Sequence, residues 1–326
     1  MATKGVTKGA AERDYGFWVK LATRASVTVA FTLIVVKLWA WIATDAASML
    51  ASATDSMLDG LASLFTFFSV RYALQPADRE HRFGHGKAES LAALVQSALI
   101  TGSAMLLLVH SAQQLWQGSQ VQQAGLGVYV SLFAIALTLG LVLLQRVAIR
   151  NTGSKAIAAD HLHFQSDLLL NSAVIAALLL SAYGWYWADS VFAIVIAIYL
   201  AYGAIRIGWE AFQGLMDREL PEEDKAQIVA VLRSTKGIHG WHDLRTRASG
   251  PTRFIQCHVE LQDELSLKAA HDIADGAEQR LRELFPDTDV IIHMDPLSAV
   301  PQSSAADPET NPASAVTSAD DTHQPR

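Results

Sequence analysis

The chain has 326 residues, 51% of them hydrophobic and 17% charged, with a formal net charge of −7 and a mean hydropathy of +0.22. A soluble domain carries nearer a quarter charged residues, and here the apolar residues are gathered into long runs, which settles the broad class as membrane protein. The basic residues are spaced out between those runs and form no stripe, which excludes a nucleic-acid partner.

Residues 1–15 form a polar arm of mixed charge with no short apolar core ahead of a small-residue cleavage site, so it does not read as a cleaved signal peptide. Six apolar segments follow at 18–42, 48–74, 89–116, 125–150, 160–182 and 185–212. Each reaches the roughly 20 residues a helix needs to span a bilayer, giving a six-helix transmembrane domain over 16–213. Lys4, Lys8, Arg13, Lys20 and Arg24 flank the first segment, Arg71, Arg79, Arg82 and Lys87 the second gap, and Arg146, Arg150 and Lys155 the fourth. The first, third and fifth gaps carry no Lys or Arg. This asymmetry places both termini in the cytoplasm.

The composition changes at Leu215. A helix is expected over 222–235 behind Pro221, then strands over 240–248 and 252–261 joined by Ser249-Gly250-Pro251, a helix over 266–284 and a strand over 289–293. The α-β-β-α-β order predicts a small cytoplasmic α+β domain over 214–296. Its single cysteine, Cys257, excludes an internal disulfide framework, fits a reducing compartment and is expected in the core. Residues 297–326, rich in Ser, Ala, Pro, Thr and Asp, read as a disordered tail.

The second span carries a polar stripe of Ser52, Asp55, Ser56, Asp59 and Ser63, and the fifth carries Asp160, His163, Asp167 and Asn171. A carboxylate in hydrocarbon costs at least about 2.5–3.5 kcal/mol, and no Lys or Arg in these two spans balances them, so a cation is needed. Asp55/Asp59 and His163/Asp167 are i, i+4 pairs, each presenting two ligands from one helix face. Together they supply one nitrogen and three oxygens, enough to close a tetrahedron around Zn²⁺; Fe²⁺, Mn²⁺, Co²⁺ and Cd²⁺ accept the same groups. The bland alternatives are polar glue between helices or a proton relay without metal. Lys37, near the outer end of the first span, reads as a snorkelling residue, and His161 as interfacial.

In the loop after the second span, Asp78, His81 and His85 stand at spacings of three and four. They suit one metal with water in the fourth position, or simply a solvated polar loop; spacing alone does not choose. In the 252–261 strand, Ile255, Cys257, Val259 and Leu261 face one way and Gln256, His258 and Glu260 the other. A sheet can gather His242, His258 and His293, from three expected strands, on one face with Asp295. His271 falls on the apolar face of its helix, along with Leu267, Ala270, Ala274, Ala277, Leu281 and Leu284, and either packs there or serves as a ligand.

These residues resemble a known family. The segments Ala53-Thr-Asp-Ser-Met-Leu-Asp59, Phe83-Gly-His-Gly-Lys-Ala-Glu89 and Asp160-His-Leu-His-Phe-Gln-Ser-Asp167 look like the cation diffusion facilitators. His242-Asp-Leu-Arg-Thr-Arg247 and Val290-Ile-Ile-His-Met-Asp295 look like their bacterial zinc/iron efflux branch, a resemblance that covers roughly 14–297. It implies a homodimeric Zn²⁺/H⁺ antiporter of the bacterial inner membrane, with lipid, metal ions and protons as its other partners and three metal sites per subunit. Zn²⁺ would be its substrate and also a structural or regulatory ion, with no further cofactor. By position the transport site would be Asp55, Asp59, His163 and Asp167, and the loop site Asp78, His81 and His85. A binuclear site in a metallochaperone-like domain would use His242, His258, His271, His293 and a bridging Asp295. Lys87 would pair with Asp217 at the hinge between the two parts. Met294 stands where the family pattern leads one to expect Gln, and His161 is an extra imidazole.

Two rival classes remain in view. An intramembrane metallohydrolase needs an open metal position and a general base, whereas the quartet saturates a metal and no H-E-x-x-H occurs on a span. A membrane-anchored metal sensor would leave the intramembrane carboxylates without a role.

Overall fold

The computed structural model describes residues 8–44, 47–117, 125–181, 183, 185 and 187–300. It divides into two compact units, Arg13–Met216 and a second made chiefly of the chain from Asp217 onward.

The first unit holds six long helices in chain order: α1 (Lys8–Thr44), α2 (Ala47–Ala73), α3 (Lys87–Gln117), α4 (Gly125–Thr152), α5 (Lys155–Ser181) and α6 (Ala188–Leu215). The shortest, of 27 residues, reaches about 40 Å at 1.5 Å per residue, longer than the roughly 30 Å hydrocarbon layer. By length and composition four are able to cross a membrane, through Asp14–Ala43, Lys87–Trp116, Tyr129–Thr152 and Ala188–Leu215. The other two, α2 and α5, have the length; they are the pair whose apolarity is broken by Asp55 and Asp59, and by Asp160, His163 and Asp167.

Burial is inverted relative to a soluble protein. Small residues such as Ala22, Ala93, Ala159, Ala204 and Ala211 fill the interior, while Phe31, Leu61, Leu106 and Tyr202 face outward. Small interior residues let helices approach closely in lipid, and an apolar exterior of this extent would not be tolerated in water. Helix α5 packs against α3, α4 and α6, and α3 runs along α6. Their contact is tight enough that a Cβ on Gly208 would lie 3.1 Å from the Ser97 Cβ.

Helix α1 starts at Lys8, well inside the arm expected to precede the first span. Its Lys-Gly-Ala-Ala-Glu-Arg-Asp start is rich in good helix formers, which hydropathy does not register. Residues 1–7 and most of the third gap lie outside the described residues.

The second unit runs α7 (Glu222–Ser234), β1 (Gly240–Ser249), β2 (Thr252–Leu261), α8 (Leu267–Leu284) and β3 (Thr288–Pro296). The sheet order is β1-β2-β3, with β1 and β2 antiparallel and β2 and β3 parallel. Gly250, at φ 59°, turns the hairpin, and α8 supplies the crossover that parallel strands require. The side chain of Ser266 accepts from the Ala269 amide and caps α8. Ile228 and Leu232 of α7, Ile255 and Val259 of β2, and Ala277 and Leu281 of α8 are fully buried between the helices and one sheet face. Leu281→Ala should cost this unit about 2–5 kcal/mol, the range for emptying a packed leucine site, read as a lowered urea midpoint for its unfolding.

Cys257 is buried in that core. Burial, and after it the carboxylate of Glu278, push its thiol up to about 12. Only the thiolate is nucleophilic, so maleimide labelling at pH 7.5 should be at least ~100-fold slower in the native protein than in denaturant.

Three expectations are corrected. Strand β3 extends to Pro296, placing Asp295 on the strand itself. Leu267 and His271 are exposed, because the buried stretch of α8 begins only at Ala274. The start of the expected tail is ordered: Leu297–Ala299 form a short 3-10 turn, and the Ser298 amide donates to Asp263 Oδ1 at 3.1 Å. Residues 301–326 lie outside the described residues.

Candidate metal centres

Asp59, His163 and Asp167 each offer a ligand atom within 4.8 Å of the others. The i, i+4 spacing on α5 aims His163 and Asp167 the same way, and Asp59 meets them from α2. Asp59 Oδ1 stands 3.0 Å from His163 Nε2, yet that buried nitrogen has no hydrogen-bond partner among the described residues. Two carboxylates and an imidazole crowded this closely offer the nitrogen and oxygen donors a divalent cation takes, so the donor chemistry fits one. Asp55 lies outside this tight trio but lines the same cavity, of about 170 Å³, with Ser52, Ser56, Asp59, Asp167 and Asn171.

Sequence reasoning missed one member of that cavity. Lys37 does not snorkel away from the site but lines it, its Nζ donating to Ser56 Oγ at 2.6 Å and to the Ser52 carbonyl at 3.4 Å. The carboxylates are therefore not without a cation, a correction to the reading from α2 and α5 alone. The sequence signal was the position of Lys37 in the last third of α1, which Ser52 and Ser56 match in the first half of α2.

Asp160 sits one turn before His163 and is fully buried. Its carboxylate accepts from Ser26 Oγ at 2.6 Å, Gln145 Nε2 at 2.8 Å and Ser63 Oγ at 3.4 Å, joining α1, α2, α4 and α5 in a closed polar node. His161 is half-buried, and its Nδ1 has no hydrogen-bond partner among the described residues.

The loop trio also converges. Asp78 Oδ1 lies 3.5 Å from His81 Nδ1, and Asp78 Oδ2 lies 3.4 Å from His85 Nε2; all three offer ligand atoms within 4.8 Å. The bend is made at Gly84, with φ 78°, whose amide donates to the His81 carbonyl at 3.0 Å. His85 is buried against the Tyr72 ring, with centroids 4.6 Å apart, while Asp78 and His81 are exposed. The backbone amides of His81 and Glu80 donate to Asp78, at 2.6 and 2.9 Å, and hold its carboxyl below the ordinary carboxylate range. A lowered folded-state value adds stability that is present at neutral pH and lost as pH falls through that value, so the loop is held most firmly while Asp78 is ionised.

In the second unit, register puts His242 opposite His258 and His258 opposite His293, one row across three strands. Ring centroids are 4.9 and 4.6 Å apart along the row. Asp295 touches all three: Oδ2 is 2.7 Å from His258 Nδ1 and 3.4 Å from His242 Nε2, and Oδ1 is 3.2 Å from His293 Nε2. His242, His258 and Asp295 form the tight cluster. His271, exposed on α8, is not part of it. Glu260 was not singled out in the sequence, yet it reaches His242 Nδ1 with Oε1 at 3.2 Å, the carboxylate–imidazole support that orients metal-binding histidines. A side chain at Gly240 would meet the Glu260 carboxylate and displace it. Met294 packs against the core instead of facing the row.

Lys87 Nζ donates to the Leu215 carbonyl at 3.3 Å within the first unit. Asp217, in the second, accepts from Arg247 Nη1 at 3.2 Å.

Two family profiles match the chain. One, described as the cation efflux transmembrane domain, covers residues 23–216, and one described as the cation efflux protein cytoplasmic domain covers 220–297. A cation-efflux pump FieF of Shewanella oneidensis is 53% identical over 288 residues, covering 88% of this chain and 97% of the relative. A pump of the same name from Klebsiella pneumoniae is 51% identical over 289 residues, covering 89% and 96%. A solved structure described as the metal-bound C-terminal domain of the CzcD transporter from Thermotoga maritima is 30% identical, covers 24% of this chain and 94% of that one, and has a TM-score of 0.24. Since both profiles match in order and the pumps align along nearly their whole length, the chain belongs to the cation diffusion facilitator family, a family of multi-pass cation efflux transporters.

Proposed function

We propose that this protein exports Zn²⁺ from the cytoplasm in exchange for protons, with Asp55, Asp59, His163 and Asp167 as the transport site and Fe²⁺, Cd²⁺ or Mn²⁺ as further substrates. The observation that carries this reading is the buried His163 Nε2 set against Asp59 Oδ1 at 3.0 Å, with Asp167 beside it, on two helices of membrane-spanning length. Metal requires the imidazole neutral and the carboxylates ionised, so protons and metal compete for one set of atoms. Proton supply from one side then drives metal off that side.

Alternating access is supported by the asymmetry around the quartet. The cavity reaches from Asp59 toward Lys37, Ser52 and Asn171, away from the loop carrying Asp78 and His81. On the other side of His163, the Asp160 node closes four helices together. Rocking of helices about a fixed central site is the common transporter solution.

In the same reading the chain is a homodimer of the bacterial inner membrane with cytoplasmic termini. The His242–His258–His293–Asp295 row binds a structural or regulatory metal, with His271 completing a binuclear site. The Asp78, His81 and His85 loop takes metal at the cytoplasmic face. The test is flux: purified full-length protein in vesicles with an imposed pH gradient, offered Zn²⁺, Fe²⁺, Cd²⁺ and Mn²⁺ in turn. Gradient-dependent Zn²⁺ uptake is the expected result, and hydrolysis or metal binding without vectorial flux would overturn it.

A further inference from the structure

Lys37 is a fixed cation in the cavity of a cation carrier. Its ammonium is turned against α2, on Ser56 Oγ and the Ser52 carbonyl, although a lysine near the end of a span usually extends toward the headgroups. Ser56 directly follows Asp55, and Lys37 shares the cavity with Asp55, Asp59 and Asp167. A positive charge there repels an incoming dication and weakens its binding, so on affinity alone it is misplaced.

Charge balance gives it a role. The quartet's own three carboxylates and a dication leave one negative charge at the site, where a net charge in hydrocarbon is costly; the ammonium offsets it, while Asp160 is held separately by Ser26, Ser63 and Gln145. A carrier must also hold its ion weakly enough to let it go. We propose that Lys37 is the resident counter-charge of the transport cavity: it neutralises the third carboxylate when a dication is bound and sets metal affinity low enough for release. Lys37 touches no metal in this scheme; it determines affinity and turnover through the field it adds at the quartet and through its grip on α2 at Ser56. The proposal rests on the quartet being the transport site.

The test compares initial rates of Zn²⁺ and Cd²⁺ uptake against metal concentration, at one fixed pH gradient, for full-length wild type, Lys37→Gln, Lys37→Met, Lys37→Arg and Asp59→Asn. Both uncharged variants should lower KM about tenfold or more and lower the maximal rate; a unit charge acting on a dication several ångströms away at an effective dielectric near 20 is worth at least that much. Lys37→Arg, which keeps the charge, should restore both parameters. A merely structural lysine would lose rate without tightening KM. An unchanged or raised KM in whichever uncharged variant folds overturns the proposal, provided Asp59→Asn is inactive. Wild-type flux in Asp59→Asn would instead overturn the transport-site reading on which the proposal stands.

Discussion

Replacing His163 by alanine should abolish proton-driven Zn²⁺ flux, with kcat/KM falling by about 100-fold or more while the protein still folds and still binds metal in its second unit. Losing a group that merely supports a ligand costs 10–100-fold, and in the proposed transport site His163 is itself a ligand and the one nitrogen of the quartet. The loss would leave Asp59 and Asp167 crowded together without the imidazole 3.0 Å from Asp59. Oxygen-only sites favour harder cations, so residual flux should shift away from Zn²⁺ relative to Mn²⁺. The comparison with Asp160→Asn separates ligand from scaffold. Asp160 lies one turn away and accepts from Ser26, Ser63 and Gln145, so its variant should lower thermal stability and leave metal preference intact. A His163→Ala protein that carried Zn²⁺ at the wild-type rate would remove the quartet from the mechanism.

What could be read from the sequence depended on periodicity. The 3.6-residue stripe on α2 and α5 gave the polar faces that carry the proposed quartet, and the two-residue alternation in β2 put Cys257 in the core, as observed, and His258 opposite. The joining of His242, His258 and His293 into one row follows from strand register, which the sequence implies only once the strands are aligned. Periodicity fixes the direction of a face but not the extent of what lies beneath it. His271 is one turn before Ala274 on the same line, yet the buried part of α8 begins at Ala274 and the imidazole remains exposed. Lys37 was misread for a related reason. Its depth in the first span suggested an escape to the interface, but direction depends on the neighbouring helix, and Ser56 supplies an acceptor at 2.6 Å. Glu260 was visible only as a companion of His258 on the polar face. Its contact with His242 lies across the β1–β2 pairing, at a distance of 18 residues along the chain.

Asp295→Ala should have the second-largest effect, removing high-affinity metal binding from the second unit. One carboxylate there reaches three imidazoles, His258 at 2.7 Å, His293 at 3.2 Å and His242 at 3.4 Å, so among the described residues it is the one carboxylate of the row set against every histidine in it. Without it, the three histidines stand side by side, held by strand register, with only the Glu260 carboxylate at His242 left beside the row to offset a dication's charge. A ligand that binds only the folded state stabilises it by about 2.7 kcal/mol at one hundred times its dissociation constant. In a domain of this size that is roughly 10–20 °C in thermal midpoint. Zn²⁺ should therefore raise the midpoint of the second unit by that order in the wild-type chain and leave it nearly unmoved in Asp295→Ala. His271→Ala tests how far the cluster extends: the exposed imidazole lies outside the row, so a wild-type shift with one metal fewer per subunit is expected if it serves a second ion. An undiminished Zn²⁺ shift in Asp295→Ala would mean that the metal is held elsewhere on this unit, and the row would then be a packed histidine face rather than a metal centre.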